Sequence, residues 1–373
     1  MTTLDTLPDL RHARRLVIKV GSALLVQQGK PHSEWLASLA AEIAELRKTA
    51  EIIVVSSGAI ALGAARLGLA RGGRGSLADA QAAASVGQVE LARLWSDALG
   101  QHGIIAAQML VTIGDLEDRR RYLNAAATLA RLIEAGAVPV VNENDSVATE
   151  EIRFGDNDRL AARVAQAAGA QAVLLLSDVD GLYDRDPRAA GARLVARVEG
   201  VTPRIMAMAS GASSSGLGSG GMLAKLQAAR IAERAGIVLA IVNGTHRSPI
   251  SRALDGPVGT LFLPQGDASA RKAWLGGRLA PAGVLTVDAG CVAALEKGAS
   301  LLAAGITGID GDFARGDLVA IHGPGGEWLG QGLVEYTSAE CRSIRGLKQD
   351  RQGAKLGYAP RAAVVHRDHL VRT

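Results

Sequence analysis

The sequence predicts an open α/β sheet, mostly parallel and covered by helices on both faces, followed by a small C-terminal β-barrel. Over the first 260 or so residues, short apolar runs alternate with stretches of helical periodicity, as in a parallel sheet with crossover helices. Beyond about residue 281, short apolar runs are separated by frequent glycine turns, which is typical of a barrel. We therefore predict an α/β domain over 1–263, a linker over 264–281 and a barrel over 282–373.

The apolar runs of the first domain have the length and branching of buried parallel strands. We predict these strands over 16–20, 52–55, 104–110, 137–141, 172–176 and 237–242. Helical spacing is clearest in 33–49, where Leu36, Leu39 and Ile43 recur on one face. Further helices are predicted over 78–99, 120–136, 202–210 and 224–236, and one begins near Asp158. The barrel strands are predicted within 283–290, 306–321, 327–336 and 361–370.

Composition favours a globular protein with two domains. The chain has 373 residues, of which 48% are hydrophobic, and a formal net charge of +4. The segment 340–373 holds eight basic and three acidic residues, so its net charge of +5 accounts for the basic excess. Any affinity for polyanions should therefore reside in the barrel. Aromatic residues make up only 3%, which disfavours base stacking on single-stranded nucleic acid.

The two cysteines and the N-terminal segment favour a cytoplasmic protein. Cys291 and Cys341 are far apart and form no CxxC pair, so we expect reduced thiols. The N-terminal residues lack the apolar core of a signal peptide. No apolar run approaches the ~18 residues that span a membrane, so no membrane partner is expected.

Acidic and amide side chains crowd the segment 142–158, directly after a predicted strand. Side chains at the carboxyl end of such a strand point into the crevice where open α/β sheets bind ligands. The carboxylates of Asp145, Asp156 and Asp158 suit an amine-bearing substrate and Mg²⁺, which prefers oxygen ligands. The alternative for Asp158 is that it caps the following helix.

Two further strand ends carry residues suited to anions. Lys19 ends the first predicted strand, where it could reach a phosphate or could be an ordinary solvated lysine. Ser57 lies between the second strand and a helix, where free N–H groups and hydroxyls can hold a carboxylate or phosphate, or a serine can cap the helix.

A glycine-rich turn, 216–225, ends with Lys225 inside a predicted helix. Such a turn can hold nucleotide phosphates at a helix N-terminus, but it can also be a simple linker. It matches neither a Walker A loop nor a Rossmann fingerprint. Ser177 and Asp178 follow a buried strand and are candidates for a nucleotide-binding wall, or for a plain strand-to-helix turn.

The order of these motifs resembles that of the bacterial glutamate 5-kinases, which belong to the amino-acid kinase superfamily and end in a PUA domain. The resemblance is carried by KVGSALL, VVSSGAIALG, VPVVNENDSVA, FGDNDRLAA, LLLSDVDGLYDRDPR and SGLGSGGMLAKLQAA, together with the C-terminal barrel. It extends over essentially the whole chain past about residue 14.

The resemblance implies roles for individual residues. Lys19, Lys225 and Asp156 would be catalytic, and Ser57, Asp145 and Asn157 would bind glutamate. Asp156 and Asp158 would organise the lysines and Mg²⁺, directly or indirectly. ATP would be held by Lys19, Ser177, Asp178, Ser219, Gly220, Gly221, Met222, Leu223, Ala224 and Lys225. The family has hydroxyl residues where this chain has Leu223 and Ala224, so those two side chains supply no hydroxyl contact and only their backbone contacts with the nucleotide would remain.

The activity implied is ATP-dependent phosphorylation of the γ-carboxylate of L-glutamate, the first step of proline biosynthesis. The residues agree with it, because a carboxylate is already a nucleophile at neutral pH and needs no general base. The resemblance further implies feedback inhibition by proline, a homo-oligomer, and glutamate-5-semialdehyde dehydrogenase as a candidate partner. The alternatives are a related kinase acting on aspartate, acetylglutamate or a uridine nucleotide, and an RNA-binding protein acting through its barrel.

Overall fold

The computed structural model describes residues 4–148, 156–210, 219–256, 258–264 and 281–372. Of Asp156, Ser210, Ser219 and Gly220 it describes the backbone alone. The chain forms two compact units, one of residues 1–117 and 124–265 and the other of residues 118–123 and 266–373. Most of the predicted linker lies outside the described residues.

The first unit contains one large sheet and a short hairpin. Its strands are β1 (Arg15–Val20), β2 (Val26–Gln27), β3 (Lys30–Pro31), β4 (Glu51–Ser56), β5 (Ala106–Val111), β6 (Val138–Glu143), β7 (Ala172–Ser177), β8 (Arg197–Glu199), β9 (Val238–Asn243) and β10 (Thr260–Leu263). The sheet has the order β5-β6-β4-β1-β7-β9-β10-β8, and β2 pairs with β3. Every neighbouring pair in the large sheet is parallel except β9 with β10.

Helices cover both faces of this sheet. The helices described between Ser22 and Asp255 are α1 (Ser22–Leu25), α2 (Ser33–Leu46), α3 (Ala59–Leu67), α4 (Leu77–Gly100), α5 (Ile113–Glu117), α6 (Arg119–Glu134), α7 (Asp156–Ala168), α8 (Pro203–Ser210), α9 (Ser219–Arg234) and α10 (Pro249–Asp255), and the first residues of α6, 119–123, belong to the second unit. Ile18 of β1 shares a core cluster with Leu39 and Ile43 of α2, while α7 packs on β1, β4, β6 and β7. The predicted mostly parallel α/β sheet is therefore confirmed.

The second unit is built on a five-stranded sheet. Its strands are β11 (Gly283–Val287), β12 (Ile306–Gly311), β13 (Leu318–His322), β14 (Trp328–Val334) and β15 (Val365–Arg372), in the order β12-β11-β13-β14-β15. Only β11 and β13 pair in parallel. Tyr336, Cys341 and Val365 are among the fully buried residues of its core. Between Pro281 and Arg372, the part of this unit's longer segment that the structure describes, three α-helices accompany the sheet: α11 (Ala289–Glu296), α12 (Ser338–Ile344) and α13 (Gln349–Leu356).

The structure differs from the sequence prediction at several elements. The strand predicted over 104–110 is β5. It begins two residues later than predicted, at Ala106, where pairing with β6 begins. The short strand β10 and the helices of the second unit were not predicted. Helix α9 begins at Ser219, so the last glycines of the predicted turn are helical. Among the described residues, no helix combines the length and apolarity that crossing a bilayer requires.

Candidate active site

The carboxyl ends of β1, β4, β6 and β7 meet along one edge of the large sheet and open into a cavity of about 340 Å³. This is the edge at which open parallel sheets bind ligands. Lys19, Ser57, Asp145, Asn157, Asp158, Ser177, Asp178, Gly221, Met222 and Lys225 all line it. Residues more than two hundred positions apart in sequence, such as Lys19 and Lys225, are therefore brought to one cavity.

Two lysines contact opposite oxygens of one carboxylate in this cavity. Lys19 Nζ lies 2.6 Å from Asp158 Oδ1, and Lys225 Nζ donates to Asp158 Oδ2 at 2.9 Å. The side chain of Asp158 is fully buried and both lysines are nearly so. The sequence alternatives of a solvated Lys19 and a capping Asp158 are wrong, because Asp158 lies within α7 and holds both ammonium groups.

Burial and charge oppose each other in this triad. Burial lowers the pKa of Lys19, and the neighbouring Lys225 lowers it further, while the attraction of Asp158 acts in the opposite direction. Burial alone would raise the pKa of Asp158, but the two ammonium groups outweigh it and hold that pKa below its usual range. Two cations share one anion, so the triad carries a net positive charge. It is suited to an anionic group that enters the cavity.

A chain of amide hydrogen bonds runs beside the triad. Asn157 Nδ2 donates to Ser57 Oγ at 2.6 Å and to Asn142 Oδ1 at 3.1 Å. Asn142 Nδ2 in turn donates to Gln88 Oε1 of α4 at 2.8 Å. Asn157 Oδ1 is buried and accepts no hydrogen bond within the described part of the chain. The chain of amides therefore fixes the orientation of the Asn157 side chain, which lines the cavity.

The junction between β4 and α3 turns Ser57 toward the cavity. The preceding Ser56 is fully buried, and its hydroxyl accepts from Trp95 Nε1 at 2.8 Å. Gly58 is the N-cap of α3 and has a φ of 121°, a conformation that side chains rarely adopt. A serine cap, the alternative reading of this turn, is therefore not present.

The other end of the cavity is formed by β7 and the start of α9. Ser177 Oγ donates to Asp178 Oδ1 at 3.2 Å, and both residues line the cavity. Met222 and Lys225 line it from α9, since residues three apart share a helix face. Leu223 is instead 40% exposed and Ala224 is buried, and neither lines the cavity. The side chains of Asp156 and Ser219 lie outside what the structure describes, and Gly220 is described only as part of the backbone of α9.

Comparison with known proteins agrees with this geometry. The model of the "Amino acid kinase family" matches residues 14–243, more than half of the chain. The chain belongs to the amino acid kinase family. A PUA domain model matches residues 283–352 of this amino acid kinase, as the sequence predicted.

Curated relatives of this amino acid kinase match it over nearly its whole length. A protein named Glutamate 5-kinase from Novosphingobium aromaticivorans is 64% identical over 96% of this chain and 95% of its own. The Glutamate 5-kinases of Sphingopyxis alaskensis and Zymomonas mobilis are 60% and 52% identical, each over 96% of this chain and 97% and 91% of their own. The resemblance found in the sequence is thereby confirmed.

Sequence reasoning about this amino acid kinase missed three residues near its cavity. Asn142 accepts from Asn157 and donates to Gln88, and Arg74 lines the cavity, where it interacts electrostatically with Asp145. Asn142 lies in the amide-rich segment, so its position was a usable signal. Gln88 lies within a helical pattern and Arg74 in a glycine-rich loop, and neither context indicates a site.

Proposed function

We propose that the protein transfers the γ-phosphoryl group of ATP to the γ-carboxylate of L-glutamate, giving L-glutamyl 5-phosphate, the first step of proline biosynthesis. The observation that carries this proposal is the pair of buried lysines on Asp158. The pair lies between a cavity end rich in amides and carboxylates and an end formed by β7 and α9. The name shared by the curated relatives supports the same activity.

The proposed reaction needs no general base, because the γ-carboxylate is ionised at neutral pH. One of its oxygens attacks the γ-phosphorus, and the bond from that phosphorus to the β,γ-bridging oxygen breaks, so that ADP departs with the electron pair. Catalysis then consists of positioning the reactants and offsetting negative charge on the transferring group. Lys19 and Lys225 supply two positive charges for this purpose, and Asp158 fixes both ammonium groups.

Magnesium is part of the proposal. It is commonly held by one or two carboxylates together with substrate phosphates, and it would offset charge on those phosphates. Asp178 lines the cavity and has the oxygen donors for this role, and Asp156 begins α7 nearby in sequence to Asp158. Both oxygens of Asp158 face lysines, so direct coordination by Asp158 would displace one of them.

At the substrate end we assign the α-ammonium group of glutamate to Asp145, and we expect Asn157, which lines the same cavity, to contact the substrate. Asp145 is only 8% exposed and lines the cavity, so its carboxylate can pair with an ammonium group that enters there. Ser57 Oγ lies 2.6 Å from Asn157 Nδ2 and can contact the substrate from the same side. An acetylated amine has no charge to pair with Asp145, which argues against acetylglutamate. Among the alternatives, neither another carboxylate substrate nor RNA is favoured by the relatives.

Proline inhibition, a homo-oligomer and association with a glutamate-5-semialdehyde dehydrogenase remain parts of the proposal. Proline has the same α-ammonium and α-carboxylate groups as glutamate. A site that recognises those groups could therefore admit proline, and competitive inhibition would follow.

Hydroxylamine trapping tests the proposed activity directly. The purified protein with ATP and Mg²⁺ should form a hydroxamate from L-glutamate, and little from L-aspartate or N-acetylglutamate. ADP release should match hydroxamate formation. Turnover of aspartate or acetylglutamate in preference to glutamate would contradict the proposal.

A further inference from the structure

An arginine that belongs to no sequence motif lines the cavity beside Asp145. Arg74 follows the segment Ala70–Gly73 between α3 and α4. Although the residue is exposed as a whole, partial burial lowers the pKa of its guanidinium group, and the attraction of Asp145 opposes that effect. A cationic and an anionic side chain thus lie close together at the substrate end of the cavity.

The loop that carries Arg74 has a defined backbone course. Arg71, Gly72 and Gly73 have φ values of 52°, 60° and 76°, three successive residues in the left-handed region. Gly73 is buried, and a Cβ atom there would lie 2.9 Å from Ala64 Cβ and 3.1 Å from Ala83 Cβ. The loop is therefore seated against α3 and α4, and Arg74 leaves it from a fixed point.

We propose that Arg74 binds the α-carboxylate of the amino-acid substrate while Asp145 binds its α-ammonium group; this inference rests on the proposed function. A neighbouring guanidinium and carboxylate are complementary to a zwitterion, whose two charges can pair with them in antiparallel fashion. Guanidinium groups also bind carboxylates through two parallel hydrogen bonds, which fixes orientation as well as charge. The γ-carboxylate of the substrate would then be directed toward Lys19 and Lys225.

The proposal predicts a selective defect in substrate binding. Arg74→Ala should raise KM for glutamate about ten- to hundredfold, the range expected for losing a hydrogen bond to a charged group. The change in kcat should be small, because the α-carboxylate carries the same charge in the ground and transition states. Arg74→Lys should give an intermediate KM, since it keeps the charge and loses the bidentate geometry.

Two analogues of glutamate separate a direct contact from an indirect one. 4-Aminobutanoate lacks the α-carboxylate, and glutarate lacks the α-ammonium group, while both keep the reacting carboxylate. Arg74→Ala should lower kcat/KM for glutamate and glutarate but leave that for 4-aminobutanoate nearly unchanged. Asp145→Asn should show the mirror-image pattern, with 4-aminobutanoate affected and glutarate spared. Hydroxamate formation measures all of these rates.

Arg71→Ala is the matched control, because Arg71 is an exposed arginine of the same loop that does not line the cavity. It should leave KM for glutamate unchanged, and thermal unfolding should show that all variants are folded. An unchanged KM in Arg74→Ala would overturn the inference. So would equal losses for glutamate and 4-aminobutanoate, which would show that Arg74 acts only through Asp145. A wild-type protein that does not phosphorylate glutamate would instead contradict the proposed function.

Discussion

Lys19 and Lys225 come from β1 and α9, yet their ammonium groups contact the two oxygens of a single buried carboxylate. That carboxylate, Asp158, lies in α7, which packs against both β1 and α9. Two like charges are thereby held close together in a nearly dry setting, at the cost of desolvating all three groups. The two ammonium groups can together attract a phosphate group that enters the cavity.

The first prediction concerns the lysines themselves. Lys19→Ala and Lys225→Ala should each lower kcat more than they raise KM for glutamate, because each charge matters most as the phosphoryl group transfers. By analogy with other preorganised electrostatic groups, each loss should amount to roughly 3 kcal/mol or more in the barrier. Steady-state kinetics of hydroxamate formation measures the two parameters. A variant with wild-type kcat would show that its lysine has no catalytic role.

Asp158→Asn should destabilise the protein while keeping its shape. The amide is isosteric but neutral, so two buried ammonium groups would lose their counter-charge. Removing one partner of a buried ion pair typically costs about 3–5 kcal/mol in the free energy of unfolding. Urea denaturation measures this cost. Adding Lys19→Met to Asp158→Asn should recover part of the lost stability, because it removes one of the two unpaired ammonium groups. Equal stability of Asp158→Asn and wild type would indicate that the lysines are neutral in the folded protein.

A third prediction concerns pH and the second unit. His369 is 9% exposed, and burial, assisted by the nearby His366, lowers its pKa from 6.5 to about 4. At pH values between 4 and 6.5, His369 is protonated in the unfolded state but not in the folded state, so the free energy of unfolding decreases as the pH falls through this range. Above pH 6.5 the contribution of His369 to stability is fully retained. The total loss should be about 3 kcal/mol, at 1.36 kcal/mol for each pKa unit.

Hydrogen exchange at several pH values, read from peptides of β12 to β15, measures this local stability. His369→Gln should flatten the pH dependence between 4 and 6.5. His366→Gln is the control, because its side chain is 39% exposed and it should change the slope much less. An unaltered slope in His369→Gln would show that another group governs the acid sensitivity.

The strands, and several residues that line the cavity, could be predicted because they depend on local patterns. Lys19, Ser57, Asp145 and Ser177 each follow or end an apolar run, and parallel strands bring such ends to one edge. Asp158 was expected near the site, but its pairing with two lysines depends on how α7 packs. The capping box of Thr337 and Glu340 is a sequence pattern that predicts the start of α12. The frequent glycine turns in this region instead favoured a prediction of strands alone.

Other parts of the site have no local signature. Gln88 is one polar residue within a long amphipathic helix, and only the tertiary structure brings its amide to Asn142. Arg74 lies in a loop whose course depends on Gly73 fitting between two alanines of neighbouring helices. Such residues are determined by packing between distant segments, which single-sequence patterns do not report.

The crossing of α3 and α4 supplies the last prediction. A Cβ atom on Gly87 would lie 1.8 Å from Ala59 O, and one on Gly63 would lie 1.8 Å from Ala83 O, so the two helices touch backbone to backbone. Gly87→Ala must push α4 away from α3, which should cost at least about 1–3 kcal/mol in the free energy of unfolding. Because the next residue is Gln88, the shift should also disturb Asn142 and raise KM for glutamate.

Gly100→Ala, at the end of the same helix, is the matched control. Apart from the adjacent residues and the backbone of its own helix, no heavy atom lies within 4 Å of the added methyl group, so stability should be unchanged or slightly higher. Urea denaturation and glutamate kinetics of both variants test the idea together. If Gly87→Ala is destabilised but keeps its KM, the helix crossing supports the fold alone, and the orientation of Asn157 does not depend on Gln88. If both parameters change in Gly87→Ala and neither in Gly100→Ala, the close crossing of α3 and α4 sets the geometry of the substrate site.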